Sequence, residues 1–329
     1  MGILRFIVPV VVVFSLHASA ATLPPDHLLY PADTEVEFLA GLSGSVSVNF
    51  AKKLLVKCAD GTAEIKYADL CRIGGWLQQD RRSPAQFPWD ELKAQVLYFG
   101  EMHMGQEAKT FLTDHMIELK KQGVGALALE MFNSKNQPIL DLYVAGLATI
   151  EEVKTALVKE WNYDSEGYLS AIEAAKAHGM RILAIDDRSE GWNGGFLPAL
   201  IRRDAHMAKV IAGVIQAQPD LKIAVLVGRM HAYGIFSDEN LVLSQPAVLR
   251  EQYGITTQSL MVFSNREVGN VGPNSMQKAI MGEGVPSILA APAGYGYTDY
   301  FLFLRDPVPP SYPAYINEPS WQEKLRHLN

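Results

Sequence analysis

The chain has 329 residues, of which 48% are hydrophobic and 20% are charged. This composition excludes an intrinsically disordered chain and is sufficient for one large domain or two ordinary ones. The formal net charge of −7 argues against nucleic acid or an anionic membrane surface as the main partner.

The first twenty residues have the pattern of a secretory signal peptide. Arg5 precedes the apolar run 7–16, and residues 18–20, Ala-Ser-Ala, supply a small-residue cleavage site. The apolar run is shorter than the ~20 residues that a membrane-spanning helix needs. We therefore predict removal of residues 1–20, no transmembrane segment in the mature chain, and export to the periplasm or the medium.

Residues 21–94 are interpreted as an N-terminal extension of mixed structure that contains both cysteines of the chain. An export signal leads to an oxidising compartment, where two cysteines pair more often than they bind a metal. We therefore predict a disulfide between Cys58 and Cys71. It would close a loop of about 14 residues and stabilise the fold by roughly 3 kcal/mol in the chain-entropy model.

From residue 95 to residue 305, apolar runs alternate with helical periods. Four nearly all-apolar runs, VLYFG, GALALEMF, RILAIDD and KIAVLVG, are typical of parallel strands covered on both faces. The longest helical stretch is LPALIRRDAHMAKVIAGVIQAQ, and TQSLMVFS and YFLFLR are candidates for later strands. The pattern predicts an α/β fold with a mainly parallel β-sheet flanked by long α-helices. Residues 306–329 are a proline-rich C-terminal tail.

Ionisable residues follow all four apolar runs. Glu101 and His103 follow the first, Glu130 ends the second, Asp186 ends the third and His231 follows the fourth. Ligands bind beyond the carboxyl ends of the strands in an open parallel sheet. We therefore expect these side chains to meet in one crevice.

Such a cluster suits two kinds of chemistry, and the residues leave the choice open. Glu101, His103 and His231 can hold a divalent metal ion of unknown identity, with open positions for water and substrate. Without a metal, His103 can act as a general base whose ring is oriented by Glu101 or Glu130. Either arrangement points to activation of water for hydrolysis.

For other polar residues near the expected crevice, a structural role is at least as well supported as a role in the site. Asp186, Asp187 and Arg188 can equally cap a helix and form an ion pair. Arg203 lies close to His206 on the long helix and either reaches the crevice or pairs with a neighbour. His115 is expected to be a partly buried residue of the first helix.

Five segments of the chain together resemble the ChaN family of haem-binding uptake proteins, which is grouped with the TIKI, TraB and erythromycin-esterase superfamily. They are VLYFGEMHMGQEAKTFLTDHMIEL, ALALEMFNSKNQPILDLYVAG, EWNYDSEGYLSAIEAAKAHGMRILAID, RRDAHMAKVI and VLVGRMHAYG. The resemblance implies a parallel sheet flanked by long helices, with a small helical subdomain at about residues 137–164. It also implies export and a role in haem or iron acquisition for the closest relatives. For more distant relatives it implies hydrolysis, by metal-dependent peptidases or by esterases with a histidine base.

The resemblance also assigns a candidate catalytic set. By motif position, Glu101, His103 and His231 match the shared pocket residues of the superfamily. Glu130 matches the acidic strand end, and Arg203 matches the Arg-Asp element of the long helix. The expected partner is haem or a small-molecule or peptide substrate.

The haem ligand is not identified by these motifs. Tyr or His can hold haem iron, and Tyr295, Tyr297 and Tyr300 in the loop GYGYTDY are candidates by composition only. Many ChaN-type proteins are lipoproteins, whereas no cysteine lies at the predicted cleavage site. The resemblance favours a haem-binding protein of iron uptake, the residue chemistry favours a hydrolase, and a non-catalytic interaction protein that retains the fold is a third hypothesis.

Overall fold

A computed structural model of the protein describes residues 56–57, 59–62, 87–189, 191, 195–233, 236–237, 240–241, 244–264, 287–290 and 298–304. The predicted signal peptide, Cys58 and Cys71, Tyr295 and Tyr297, and the C-terminal tail lie outside these residues. The cleavage site, the disulfide and the domain boundaries therefore stay predictions.

A twisted sheet of seven strands forms the centre of the fold. The described residues form these seven strands and two more, which in chain order are β1 (Val96–Glu101), β2 (Val124–Asn133), β3 (Arg181–Asp186), β4 (Lys222–Gly228), β5 (Phe236–Ser237), β6 (Asn240–Leu241), β7 (Thr257–Ser264), β8 (Ser287–Ala290) and β9 (Tyr300–Leu304). The order in the sheet is β3-β2-β4-β1-β7-β9-β8, and β5 and β6 form a separate hairpin. Six strands are parallel and the edge strand β8 is antiparallel to β9. The predicted mainly parallel α/β fold is confirmed.

Helices connect the parallel strands. They are α1 (Glu107–Asp114), α2 (Met116–Lys121), α3 (Gln137–Val144), α4 (Ile150–Val158), α5 (Glu166–Ala177), α6 (Phe196–Ala217), α7 (Arg229–Tyr233) and α8 (Gln245–Tyr253). The helix predicted after the first strand is interrupted at His115, whose φ of −111° and ψ of 17° are not helical. The sequence pattern did not predict α7 or α8.

The sheet separates two hydrophobic cores, one on each face. Side chains of β1 alternate between them, since Leu97 and Phe99 pack into one core and Val96 and Tyr98 into the other. Because both faces are covered, the central strands are apolar along their whole length.

The register of the strands places the polar strand ends side by side. Glu101 of β1 is level with Gly228 of β4. The pairing of β2 with β3 is regular up to Leu129 and resumes at Asn133 after an irregularity. Glu130 lies at the start of this irregular stretch, where a break in the ladder can redirect a side chain. None of the helices in the described part of the chain is long and apolar enough to cross a membrane.

Helix α4 offers a matched test of the core, because Leu157 is completely buried and its neighbour Val158 is 49% exposed. Leu157→Ala is expected to lower the free energy of unfolding by about 2–5 kcal/mol through lost burial and a residual cavity. Val158→Ala is expected to change it by less than about 0.5 kcal/mol. Urea unfolding of both variants measures the difference, and equal effects would contradict the placement of α4.

Candidate functional site

The five residues of the candidate catalytic set come together at the carboxyl edge of the sheet, in one network centred on Glu130. Its Oε1 accepts from Arg203 Nη2 at 2.6 Å and lies 3.1 Å from His231 Nε2. Its Oε2 lies 3.8 Å from His103 Nε2. Glu101 joins the network because its Oε1 is 3.0 Å from His103 Nδ1. The expected meeting of strand-end side chains is therefore present in the structure.

Glu130 is a buried carboxylate that is fully compensated. Besides its ion pairs, Oε2 accepts a 2.6 Å hydrogen bond from the backbone N–H of Gly228. Burial would raise the pKa of Glu130, but the charges of His231, His103 and Arg203 outweigh it and hold the pKa well below its ordinary value. Glu130 is therefore ionised at neutral pH.

His231 lies between two carboxylates. It belongs to the short helix α7 instead of extending β4, and its Nδ1 is 2.7 Å from Asp204 Oδ1 while its Nε2 faces Glu130. Burial would lower the pKa of His231, but Glu130 and Asp204 raise it to about 9. With an acidic partner on each ring nitrogen, the imidazole is doubly protonated at neutral pH and cannot accept a proton there.

Asp204 is a further member of the cluster that the sequence pattern did not predict. It is completely buried on α6 next to Arg203, and burial raises its pKa to about 6 although His231 acts in the opposite direction. The sequence feature that could have predicted Asp204 is the Arg-Asp pair of RRDAHMAK. Both residues of this pair, Arg203 and Asp204, contribute to the cluster.

His103 differs from His231 in exposure and in the number of its direct partners. Its side chain is 21% exposed, and Glu101 contacts only Nδ1. The ring packs against the edge of Trp161, with centroids 4.7 Å apart, and beside Tyr163 at 5.2 Å. Nε2 faces Gly228, where a Cβ atom would lie only 2.7 Å away. A glycine at the end of β4 is therefore needed for His103 to approach Glu130.

Two further buried residues hold Glu101. Lys109 Nζ is 3.0 Å from Glu101 Oε2, and the Tyr168 hydroxyl donates to Oε1 at 2.5 Å. Both side chains are completely buried. Neither residue is predicted by the sequence pattern, because a lysine and a tyrosine on amphipathic helices ordinarily lie at the surface or in the core.

Contacts with Asp186 show which roles Arg203 and Arg188 have. Arg203 contacts both oxygens of Asp186 through Nε and Nη2, at 2.9 and 2.8 Å, in addition to Glu130. Arg188 Nε contacts Asp186 Oδ2 at 2.5 Å, and Arg188 Nη2 donates to the Glu130 carbonyl at 2.7 Å. Arg203 therefore both reaches the cluster and pairs with a neighbour, and Arg188 supports the strand end that carries Glu130.

The remaining polar candidates lie outside this network. Asp187 accepts from the backbone N–H of Ser189 in a turn. His206 Nε2 is 3.2 Å from Ser134 Oγ. His115 packs its ring against Phe111.

The cluster does not fit a divalent metal ion. Among the described residues, no group of three or more His, Cys, Asp or Glu side chains is arranged to hold one. Both nitrogens of His231 face carboxylates, and the carboxylates are already neutralised by Lys109 and Arg203. The metal hypothesis for Glu101, His103 and His231 is not supported.

In the described cluster, the groups that could ligate haem iron face other members of the cluster. His103 Nε2 faces Gly228 and Glu130, and the hydroxyl of Tyr168 is bonded to Glu101. Tyr300 lies in β9, where its hydroxyl donates to Glu91 at 2.7 Å. Tyr295 and Tyr297 lie outside the described residues, so their role as ligands stays a prediction.

Fold and site together define an α/β protein with a buried carboxylate–imidazole network at the carboxyl edge of a parallel sheet. Residues 89–193 match the family model described as haem-binding uptake, Tiki superfamily, ChaN. This confirms the predicted resemblance to the ChaN family over a segment that contains Glu101, His103 and Glu130. None of the curated proteins compared with the chain matches it.

Several solved structures are similar to the chain. ChaN of Campylobacter jejuni, in a structure described as cofacial haem binding, is 14% identical with a TM-score of 0.43, and the match covers 65% of this chain and 88% of that one. An erythromycin esterase, EreC, is 11% identical with a TM-score of 0.48, covering 69% and 97%. The type III effector HopBA1 is 14% identical with a TM-score of 0.46, also covering 69% and 97%.

The two ion pairs of His231 make stability depend on pH. A pKa raised from an ordinary 6.5 to about 9 means that their contribution is complete below pH 6.5 and is lost as the pH rises through 9. The loss is on the order of 3 kcal/mol. Urea unfolding between pH 6.5 and 9.5 should show this decline in the native protein and not in His231→Gln.

The control is His178→Gln, which changes the histidine that ends α5. This variant should keep the decline. A decline of equal size in His231→Gln would show that another group titrates.

Proposed function

We propose that the cluster is a hydrolytic site in which His103 is the general base. The observation that carries the proposal is the asymmetry of its ring: Nδ1 is 3.0 Å from Glu101, whereas Nε2 lies 3.8 Å from Glu130. The second distance is too long for a hydrogen bond and short enough for one water molecule to contact both atoms.

The role of Glu101 follows from the chemistry of imidazole. A carboxylate beside Nδ1 favours the tautomer that carries its proton there, which leaves the lone pair on Nε2. Nε2 can then take a proton from water while the water oxygen attacks the carbonyl carbon of an ester or a peptide. The protonated His103 afterwards returns the proton to the leaving group, so that the base is regenerated.

The other members of the set prepare this step without exchanging protons. Glu130 is ionised and faces the same water position, so it stabilises the positive charge that His103 acquires. Arg203 and the imidazolium of His231 hold Glu130 in place. In this assignment His103 is the base and His231 is a fixed cation.

Replacing the proposed base tests the assignment. His103→Gln is expected to lower kcat by about 10²–10⁴-fold on any ester or peptide that the native protein hydrolyses, because general-base catalysis contributes about that much. The measurement is a panel of chromogenic esters and peptides, with His178→Gln as the control that keeps activity. Equal rates for the native protein and His103→Gln would remove the proposal.

We also propose a second function, an exported haem-binding protein that takes part in iron uptake. It is supported by the family match over residues 89–193 and by the signal-peptide pattern of residues 1–20. Apart from His103 Nε2, which the hydrolytic proposal uses, the polar atoms of the cluster are engaged with one another, so we expect haem to be held by other residues. Tyr295 and Tyr297 are the first to examine.

Haem binding has a direct optical test. Titration of the purified protein with micromolar haem is expected to give a shifted Soret band with a defined stoichiometry. His103→Gln should bind with unchanged affinity because haem is proposed to be held by residues outside the cluster, whereas Tyr295→Phe or Tyr297→Phe should alter the spectrum if either ligates the iron. The absence of any shift in the native protein would rule out this function.

A further inference from the structure

Lys109 is a buried cation whose polar contacts lie within a few residues of His103. Its Nζ forms an ion pair with Glu101 Oε2 at 3.0 Å and donates to the backbone carbonyl of His103 at 2.9 Å and to that of Gly105. An ammonium group has three protons, and two of them are used in these hydrogen bonds to the backbone. The lysine therefore fixes the Glu101 carboxylate and the backbone that carries the His103 ring at the same time.

Tyr168 completes the environment of the same carboxylate. Its hydroxyl donates to Glu101 Oε1 at 2.5 Å, on the oxygen that also faces His103 Nδ1. Burial and the neighbouring charge of Glu101 raise the pKa of Tyr168 well above its ordinary value, so the hydroxyl remains a donor. Lys109 Nζ lies 4.4 Å from the centre of the Tyr168 ring, and the two side chains therefore support each other as well.

The geometry points to a specific role: Lys109 and Tyr168 are positioning residues that hold Glu101 with one oxygen against His103 Nδ1 and so fix the tautomer and orientation of the base. This inference rests on the proposed hydrolytic function. Neither residue touches the water position between His103 and Glu130, so both act through Glu101. Without them, the carboxylate could rotate away and the imidazole could carry its proton on either nitrogen.

A purely structural role would leave a different signature. If Lys109 and Tyr168 only filled the core under the loop after β1, their replacement would lower stability without changing the chemistry of the His103 ring. If they position the base, the tautomer changes even in a variant that remains folded. Nitrogen chemical shifts of ¹⁵N-labelled histidine distinguish the two tautomers, and the signals of His103 are assigned by their loss in His103→Gln.

Tyr168→Phe is the first variant, because it removes a single hydroxyl and keeps the ring. In the full-length native protein at neutral pH, His103 should show protonated Nδ1 and unprotonated Nε2. Tyr168→Phe should give a mixture of tautomers, and kcat should fall about tenfold with little change in KM, as expected for one hydrogen bond to a charged group. Tyr143→Phe, which alters another buried tyrosine contacted by a lysine, is the control that should leave the His103 signals unchanged.

Lys109→Met provides the second variant, and it is paired with Glu101→Gln because removing only the lysine leaves a buried charge without its partner. The double variant Lys109→Met/Glu101→Gln removes both charges, and its His103 signals are compared with those of Glu101→Gln alone, so that the difference reports the effect of Lys109. Native nitrogen shifts of His103 in Tyr168→Phe, together with identical shifts in Glu101→Gln and the double variant, would overturn the positioning role. A native protein with a fixed tautomer but no activity on any ester or peptide would instead refute the hydrolytic function, so the two failures are distinguishable.

Discussion

The buried charge of Glu130 is the constraint on which the arrangement of the site depends. A carboxylate that is removed from water is stable only when charges and hydrogen-bond donors compensate it. Here the compensation comes from two parts of the chain far from Glu130: one is the guanidinium of Arg203, and the other is the segment that supplies both the N–H of Gly228 and the imidazole of His231. Satisfying this one group therefore fixes the end of β4, one face of α6 and the start of α7 relative to β2.

The parts of this arrangement that the sequence could predict are those that lie on strands. Parallel strands that are buried on both faces are apolar throughout, so their ends are visible, and a carboxylate such as Glu101 or Glu130 at such an end is easily noticed. Asp204, Lys109 and Tyr168 lie on helices instead. On a helix, the sequence around a polar side chain that points into the protein looks the same as the sequence around one that faces solvent. The residues that pair with the buried side chain come from other parts of the chain.

The two histidines show how a similar local motif acquires different chemistry. Each follows a glycine at the end of a strand, and from the sequence both were assigned to the same pocket. In the structure His231 has an acidic partner on each nitrogen and is buried, whereas His103 has one direct partner and is partly exposed. The number of carboxylates that contact the ring, which is a tertiary property, separates a fixed cation from a base.

The ion pairs within the network also affect how the two proposed functions are related. Most charged side chains of the network form ion pairs with one another, namely those of Glu101, Glu130, Asp186, Asp204, Lys109, Arg203 and His231. Among the described residues, Nε2 of His103 is then the imidazole nitrogen of this network without a hydrogen-bonded partner. An iron ligand taken from this set would leave a buried charge uncompensated, which is costly. If haem is held by residues outside this set, as proposed, haem binding and hydrolysis do not compete for the same atoms, and the network around Glu130 is the same in either case.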